Sequence, residues 1–199
     1  MSYLGISCGF HDAALAVIDS NGNITFAGHS ERYSKIKHDS NLSNGLIKDA
    51  LQYTHTTVEC HYYERPYVKA IRQLKAGQKL GPLIVQSIVG DQLLNSLTPT
   101  ERKIKTHNHH LCHAAAGFQT SPFNDATVVV IDAIGELDTI SIYDATYDIY
   151  GNAKYKKLWG KSYPDSIGLF YSAMTARVGL KPLDEEYILM GMAAYGKPK

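Results

Sequence analysis

The sequence predicts an α/β protein in which two β-meanders flank a helical middle. Apolar segments at residues 3–8, 13–18 and 24–29, separated by a glycine-bearing loop and a turn cluster, have the pattern of three antiparallel strands. The pattern returns between residues 126 and 160, and apolar residues recur at helical spacing between the two meanders. We therefore expect a mixed sheet with flanking helices, in which one loop from each meander meets the same ligand.

The first meander, residues 3–29, contains two connections of different character. The first, Gly9 to Asp12, is polar and joins two apolar strands, which is typical of a loop that meets a ligand, although a plain hairpin turn has the same composition. The second, Asn21-Gly22, can adopt the positive φ angles of a tight hairpin turn. Both connections favour antiparallel pairing of consecutive strands.

The middle of the chain is predicted to be mainly helical. Apolar residues recur every three to four positions after Ser40, and either Ser40 or Asn41 can cap that helix. Proline and glycine set the boundaries of the later elements. The predicted elements are a helix at 40–53, a strand at 58–63, a helix at 66–74, a break at Gly81-Pro82 and a helix at 83–94.

The second half is predicted to contain a histidine-bearing helix, the second meander and one more helix. Pro122 stops the first helix, and Asp165 or Ser166 caps the second, which ends before Gly179. For residues 194–199 the pattern indicates no closing strand or helix. The predicted elements are a strand at 102–106, a helix at 109–120, strands at 128–132, 139–143 and 154–159, turns at 133–136 and 150–152, and a helix at 166–178.

The composition argues against several classes of protein. The 199 residues are 44% hydrophobic, which is enough for a buried core. Twenty basic against 19 acidic side chains provide no electrostatic attraction for a nucleic acid or a membrane. The three cysteines, Cys8, Cys60 and Cys112, form no C-x-x-C pair and are expected to be reduced, mostly buried thiols. The N-terminus has no secretory pattern and no apolar run approaches the ~18 residues of a membrane span, so we expect a cytoplasmic protein.

Two histidines and an aspartate form the strongest candidate for a metal site. In a helix, His109 and His113 lie at positions i and i+4 on one face, where both rings can reach one ion. Asp132 follows the apolar segment 126–131, and a strand there can bring its carboxylate to the same point. Two imidazoles and one carboxylate suit a divalent transition metal that keeps open positions for a substrate.

The same segment also has interpretations that need no metal. A helical histidine pair is often a solvated face or a source of caps and core hydrogen bonds, and Asn108 is a good N-cap for this helix. His110 lies one residue out of phase with the pair. We expect it to support a ligand residue, contact a substrate or face the solvent rather than to be a third ligand.

Six separated blocks of the sequence carry a family resemblance. They are LGIS (4–7) with HDAA (11–14), ERY (31–33) with KHD (37–39), HHLCHAA (109–115), IDAIGE (131–136), PDSIGLFYS (164–172) and EYILMGMAAYG (186–196). In these blocks the sequence resembles the N-terminal half of the O-carbamoyltransferases, the family of nodulation-factor and antibiotic-biosynthesis carbamoyltransferases. The resemblance implies the first half of an actin-like, sugar-kinase-like ATPase domain over residues 1–199.

The resemblance implies a carbamoyl transfer reaction. A carbamoyl group passes from carbamoyl-adenylate, made from carbamoyl phosphate and ATP, to a hydroxyl of a small molecule or sugar. In such enzymes a metal at the positions that match His109, His113 and Asp132 binds the phosphate of the carbamoyl-adenylate, and iron, zinc or manganese suits this donor set. A phosphotransferase of the sugar-kinase type is disfavoured, because magnesium prefers oxygen ligands to imidazole.

The resemblance also implies an acceptor pocket with a histidine base. His11 and His38 lie in blocks around that pocket, and either can be the base, since an imidazole of pKa about 6.5 accepts a proton at pH 7. Asp12 would orient His11 or bind acceptor hydroxyls. Without such roles, His11 is a turn residue bonded to its own backbone and His38 is an exposed residue of a charged loop.

The nucleotide is expected to contact the two meander loops. In the family fold these loops approach the phosphates, and their backbone N–H groups can face an anion. Arg32 can hold a carbamoyl oxygen or a phosphate, although an ion pair between Glu31 and Arg32 is the simpler expectation. The expected contact residues are Gly9, Gly135, Glu136 and Arg32.

Members of the family are several times longer than 199 residues. The parts expected to be missing are the second half of the actin-like domain and a C-terminal domain that forms carbamoyl-adenylate. We therefore expect a portion of an enzyme. It would be a fragment, one chain of a split enzyme whose partner carries the missing half, or a non-catalytic binding or regulatory remnant.

Overall fold

The computed structural model describes residues 1–54 and 57–197, and the chain forms two compact units, Met1–Cys112 and His113–Lys199. The predicted class, α/β with a mixed sheet and flanking helices, is confirmed. The expectation of a single sheet holding both meanders is wrong, because the first meander belongs to a five-stranded sheet and the second to a separate three-stranded sheet.

The first unit contains the mixed sheet, with strand order β3-β2-β1-β4-β5. The first three strands are antiparallel neighbours, as predicted, whereas β4 is parallel to β1 and β5 is parallel to β4. β5 has only two residues, because only the last two positions of the predicted strand at 102–106 pair with β4. The strands are β1 (Ser2–Ser7), β2 (Ala14–Ile18), β3 (Ile24–His29), β4 (Val58–Tyr62) and β5 (Lys105–Thr106).

Four helices accompany this sheet, and two of them correct the predicted boundaries. Ser43, rather than Ser40 or Asn41, caps α2, since its Oγ accepts a hydrogen bond from Leu46 N at 3.3 Å. α4 begins at Gln86 instead of residue 83 and is interrupted at Gly90, whose φ is 79°. The sequence did not predict the single-turn α1. The helices are α1 (Glu31–Ser34), α2 (Asn44–Gln52), α3 (Pro66–Lys75) and α4 (Gln86–Asn95).

The core of the first unit lies on one face of the sheet. Alternate residues of β1 and β2 are almost fully buried there, and they form one cluster with apolar residues of α2 and α4. Alternation arises because successive side chains of a strand point to opposite faces. The cluster includes Leu4, Ile6, Leu15, Val17, Leu46 and Leu93.

Two buried cysteines belong to this core. Burial, reinforced by the charge of Glu64, raises the pKa of the Cys8 thiol to about 12. Burial likewise raises the pKa of Cys60 to about 12, with smaller effects from Glu101 and Glu59. Both are outside any disulfide, which agrees with the predicted reduced thiols. Cys112 is only partly buried.

The second unit contains the antiparallel sheet β6-β7-β8 and two helices. The predicted turn at 133–136 is wrong, because β6 continues to Gly135 through an irregular pairing after Ile131, and the turn begins at Glu136 with φ 57°. The strands are β6 (Asp125–Gly135), β7 (Asp138–Tyr147) and β8 (Ala153–Ser162), each longer than predicted, and the helices are α6 (Ile167–Arg177) and α7 (Glu186–Ala193).

Helix α7 was not predicted from the sequence. Its segment, EYILMGMA, is apolar on nearly every side and so lacks the periodic polar face by which a helix is recognised. Residues 194–197 form no helix or strand, in line with the prediction for 194–199, and residues 198 and 199 lie outside the described part of the chain. Within the described residues, no helix is both long and apolar enough to cross a membrane.

Candidate metal centre and neighbouring loops

The two histidines of the candidate metal site lie on α5 (His109–Gln119), as predicted. Asn108 caps this helix, since its Oδ1 accepts a hydrogen bond from Leu111 N at 2.9 Å. Because the helix begins at His109, His109 and His113 are one turn apart on the same face. The division between the two compact units falls within α5, after Cys112, so both histidines still belong to one helix.

Asp132 lies in the irregular part of β6, where several contacts hold its backbone. Ser166, the N-cap of α6, donates a hydrogen bond from Oγ to Ala133 O at 2.7 Å and accepts one from Leu169 N at 3.0 Å. The first turn of α6 approaches so closely that a Cβ on Gly168 would lie 2.7 Å from Ala133 Cα. Asp132 Oδ1 accepts a hydrogen bond from Ala133 N at 2.6 Å, which orients the carboxylate.

His109, His113 and Asp132 offer three ligand atoms that lie within 4.8 Å of one another. His109 and Asp132 are partly buried and His113 is exposed. A group of two imidazoles and one carboxylate at this separation fits a divalent transition metal with positions left for other ligands.

His110 does not face the solvent, which was one of the three expectations for it. Its side chain is fully buried, and its ring centroid lies 6.1 Å from that of His109. Burial beside His109 is compatible with a supporting role for His110.

The predicted acceptor residues His11, Asp12 and His38 form one hydrogen-bonded cluster. His11 Nδ1 lies 2.8 Å from Asp12 Oδ2, and His38 Nδ1 lies 3.1 Å from Asp12 Oδ1. Desolvation alone would raise the pKa of Asp12, but the bonds and charges of the two histidines outweigh it and hold that pKa below its usual value. Asp12 and His38 have φ angles of 49° and 57°, a costly conformation for residues other than glycine.

The cluster holds each histidine ring through a contact between Nδ1 and Asp12. An ionised Asp12 can only accept in these two contacts, so it favours the tautomer of each ring that carries the hydrogen on Nδ1. Both rings are substantially exposed, with 58% of the His11 side chain and 45% of the His38 side chain accessible to solvent.

The residues expected to contact a nucleotide occupy three different environments. Gly9 has φ 87°, its N–H donates to Ser40 O at 2.8 Å, and a Cβ there would lie 2.3 Å from Ile88 Cγ2. Gly135 and Glu136 are buried at the β6–β7 turn. Arg32 is exposed on α1 and lies 3.9 Å from Glu31, so the expected ion pair is present at long range.

Sequence reasoning missed the role of Gly168 and recognised Ser166 only as a helix cap. The two residues hold the backbone that carries Asp132, from a segment more than thirty positions later in the chain. Their spacing to Asp132 has no periodic pattern. Only the block 164–172 of the family resemblance singled out this region.

Comparison with known proteins shows the class of this chain. The family model described as Carbamoyltransferase N-terminus matches residues 45–199, more than half of the chain. An uncharacterized protein of Synechocystis sp. is 31% identical over 224 residues, covering 98% of this chain, and the nodulation protein NolNO of Sinorhizobium fredii is 26% identical over 200 residues, covering 94%. The chain therefore belongs to the carbamoyltransferase family, of which it matches the N-terminal part.

The relatives are longer than this chain. It spans 35% of the length of the Synechocystis protein and 28% of that of NolNO. Among solved structures, a ROK family protein from Streptococcus pneumoniae TIGR4, in complex with sucrose, matches 98% of this chain and 68% of its own length, with a TM-score of 0.46 and 16% identity.

Proposed function

We propose that this chain is the N-terminal portion of an O-carbamoyltransferase. It would take part in moving a carbamoyl group from carbamoyl-adenylate, made from carbamoyl phosphate and ATP, to a hydroxyl of a small molecule or sugar. The observation that supports the proposal most directly is the convergence of His109, His113 and Asp132 within 4.8 Å in a member of the carbamoyltransferase family.

In this proposal His109, His113 and Asp132 hold a divalent iron, zinc or manganese ion. Such an ion would neutralise negative charge on the phosphate of the carbamoyl-adenylate. The hydrogen bond from Ala133 N to Asp132 Oδ1 fixes the carboxylate, and the cap contact from Ser166 fixes the backbone behind it. Gly9, Gly135, Glu136 and Arg32 are the proposed contacts of the nucleotide and its carbamoyl group.

The acceptor hydroxyl is proposed to meet the cluster of His11, Asp12 and His38. Nε2 of one histidine accepts the hydroxyl proton while the hydroxyl oxygen bonds to the carbamoyl carbon and the bond from that carbon to the adenylate oxygen breaks. Asp12 holds the ring through Nδ1 and stabilises the imidazolium that forms. The products are the carbamoylated acceptor and AMP.

Metal titration of the 199-residue chain tests the metal site. Calorimetry with Zn²⁺ or Mn²⁺ should give one site, and His113→Ala or Asp132→Asn should weaken it by more than the ~10–100-fold typical of losing an outer-shell partner. His29→Ala and Asp144→Asn, which replace residues of the same types on β3 and β7, should bind as the unsubstituted chain does. Full affinity in His113→Ala would remove the proposed site.

Labelled carbamoyl phosphate tests the transfer. With ATP, metal, a panel of polyhydroxyl acceptors and a chain that carries the remaining length of its relatives, label should enter a product, and loss of the true base through His11→Ala or His38→Ala should slow transfer by about 10²–10⁴-fold. Transfer by the 199-residue chain alone would rule out a non-catalytic remnant. Transfer only after adding a chain that carries the remaining length of its relatives would identify a split enzyme.

A further inference from the structure

Glu64 is a buried carboxylate that the proposed chemistry has not used. It lies between β4 and α3, two residues before the proline that begins α3, and only 4% of it is exposed. A carboxylate taken out of water costs free energy unless nearby groups compensate its charge. The surroundings of Glu64 therefore indicate what holds it there.

The two carboxylate oxygens of Glu64 have different neighbours. Oε1 accepts a hydrogen bond from Lys69 Nζ, on the first turns of α3, at 2.9 Å. Oε2 lies 4.0 Å from Nδ1 of His109, within ion-pair distance. Both side chains of the second contact are shielded, with 5% of Glu64 and 14% of His109 exposed. Lys69 thus balances the charge while the other oxygen is directed at the histidine.

The ring of His109 is also held by packing. Tyr63, the neighbour of Glu64, makes an edge-to-face contact with it at a centroid distance of 5.3 Å. A histidine that binds a metal through one nitrogen usually donates the N–H of its other nitrogen to a carboxylate, carbonyl or water, which fixes the tautomer and makes the ring a better ligand. Since Nδ1 of His109 faces Glu64, Nε2 is the nitrogen that we assign to the metal.

We infer that Glu64 is a positioning residue for His109, and this inference rests on the proposed metal site. The contact is longer than a hydrogen bond, so Glu64 acts through its charge, which favours the hydrogen on Nδ1 of His109 and the tautomer that presents Nε2 as a ligand. The residue contacts no substrate in this role. Loss of its charge should weaken metal binding about 10–100-fold, the effect typical of such carboxylates.

The test compares two glutamates of the same segment. Glu64→Gln keeps the size of the side chain and removes the charge, and Glu59→Gln makes the same change on β4, where the carboxylate pairs with Lys105 and His61 instead of His109. Zn²⁺ affinity is measured by calorimetry, and the ligand environment is followed by the visible absorption of bound Co²⁺. Circular dichroism checks that each variant is folded.

We expect Glu64→Gln to bind Zn²⁺ 10–100-fold more weakly and to alter the Co²⁺ spectrum, whereas Glu59→Gln stays within twofold of the unsubstituted chain. If Glu64→Gln does not fold, Glu64→Asp, which keeps the charge that compensates Lys69 but draws it back from His109, should show the same weakening. Suppose that a folded Glu64 variant binds Zn²⁺ at full affinity while His113→Ala does not bind it. This result would overturn the inference about Glu64 and leave the proposed metal site intact. An unsubstituted chain that binds no metal would overturn both.

Discussion

In each meander, one hairpin has a five-residue loop, and the two loops share one pattern of hydrogen bonds. In Asp19–Asn23 and in Asp148–Asn152, the aspartate Oδ1 accepts hydrogen bonds from the backbone N–H groups two and four residues later, at 2.8–2.9 Å. The fourth residue is a glycine with positive φ, 87° at Gly22 and 78° at Gly151. The side-chain bond of Asn23 lowers the pKa of Asp19, and the backbone bond of Asn152 lowers that of Asp148.

The two meanders differ in what covers them. Helices α2 and α4 bury one face of the first, so Ile6 on β1 is 3% exposed. On the second, apolar residues remain open to solvent, and Ile131 on β6 is 57% exposed. The comparison teaches that turn geometry follows from a few local residues, whereas the burial of a strand depends on elements packed against it from elsewhere in the chain.

The largest expected effect is a difference in the free energy of unfolding when the same substitution is made in the two meanders. Ile6→Ala removes a buried side chain and should cost about 2–5 kcal/mol, whereas Ile131→Ala removes an exposed one and should stay within about 0.5 kcal/mol. Hydrogen exchange of the β1 and β6 amides gives the opening free energy of each sheet separately. Equal costs in the two strands would contradict the difference in burial.

A smaller effect is expected where α6 presses on the second meander. Gly168→Ala places a Cβ 2.7 Å from Ala133 Cα, so the backbone beside Asp132 must move, at a cost of about 1–3 kcal/mol together with weaker Zn²⁺ binding. The matched control is Gly191→Ala in α7, where a Cβ meets nothing within 4 Å and the helix should gain up to about 1 kcal/mol. Thermal unfolding and calorimetry measure the two effects, and unchanged metal affinity in Gly168→Ala would show that the contact does not position Asp132.

The smallest effect tests the likeness of the two loops. Gly22→Ala and Gly151→Ala should each cost about 1–2 kcal/mol, because a Cβ there meets no neighbouring atom and only the left-handed conformation is penalised. Asparagine at either position should cost less, since its side chain tolerates this conformation. Urea unfolding of the four variants measures these costs. A clear difference between the two alanine variants would show that the loops are alike in hydrogen bonding but not in strain.

Features set by neighbouring residues were predictable from the sequence. The cap at Asn108, the cap at Ser166 and the one-turn spacing of His109 and His113 follow from side chains acting within four positions. The predicted turn at Asn21-Gly22 is present, but its predicted geometry is wrong. Glycine alone takes positive φ there, because Asp19 organises a longer loop.

Features set by distant residues were not predictable. Ser40, Asn41 and Ser43 are all good caps by residue type, so the local sequence does not choose among them. The first turn of α2 packs closely against another part of the chain, since a Cβ on Gly45 would lie 2.7 Å from the ring of Tyr33. The irregular pairing that carries Asp132 depends on its register with β7. The ligand types of the candidate site could thus be predicted, but not the contacts that hold them.

The burial of Cys8 and Cys60 has a practical consequence for labelling. Alkylating reagents attack the thiolate, and thiols with pKa about 12 carry almost none of it at neutral pH. Cys112, partly accessible and one position before His113, is therefore the sulfhydryl that such a reagent should reach first. A fluorophore attached there would sit on the helix that carries both histidines and report on ions arriving beside it.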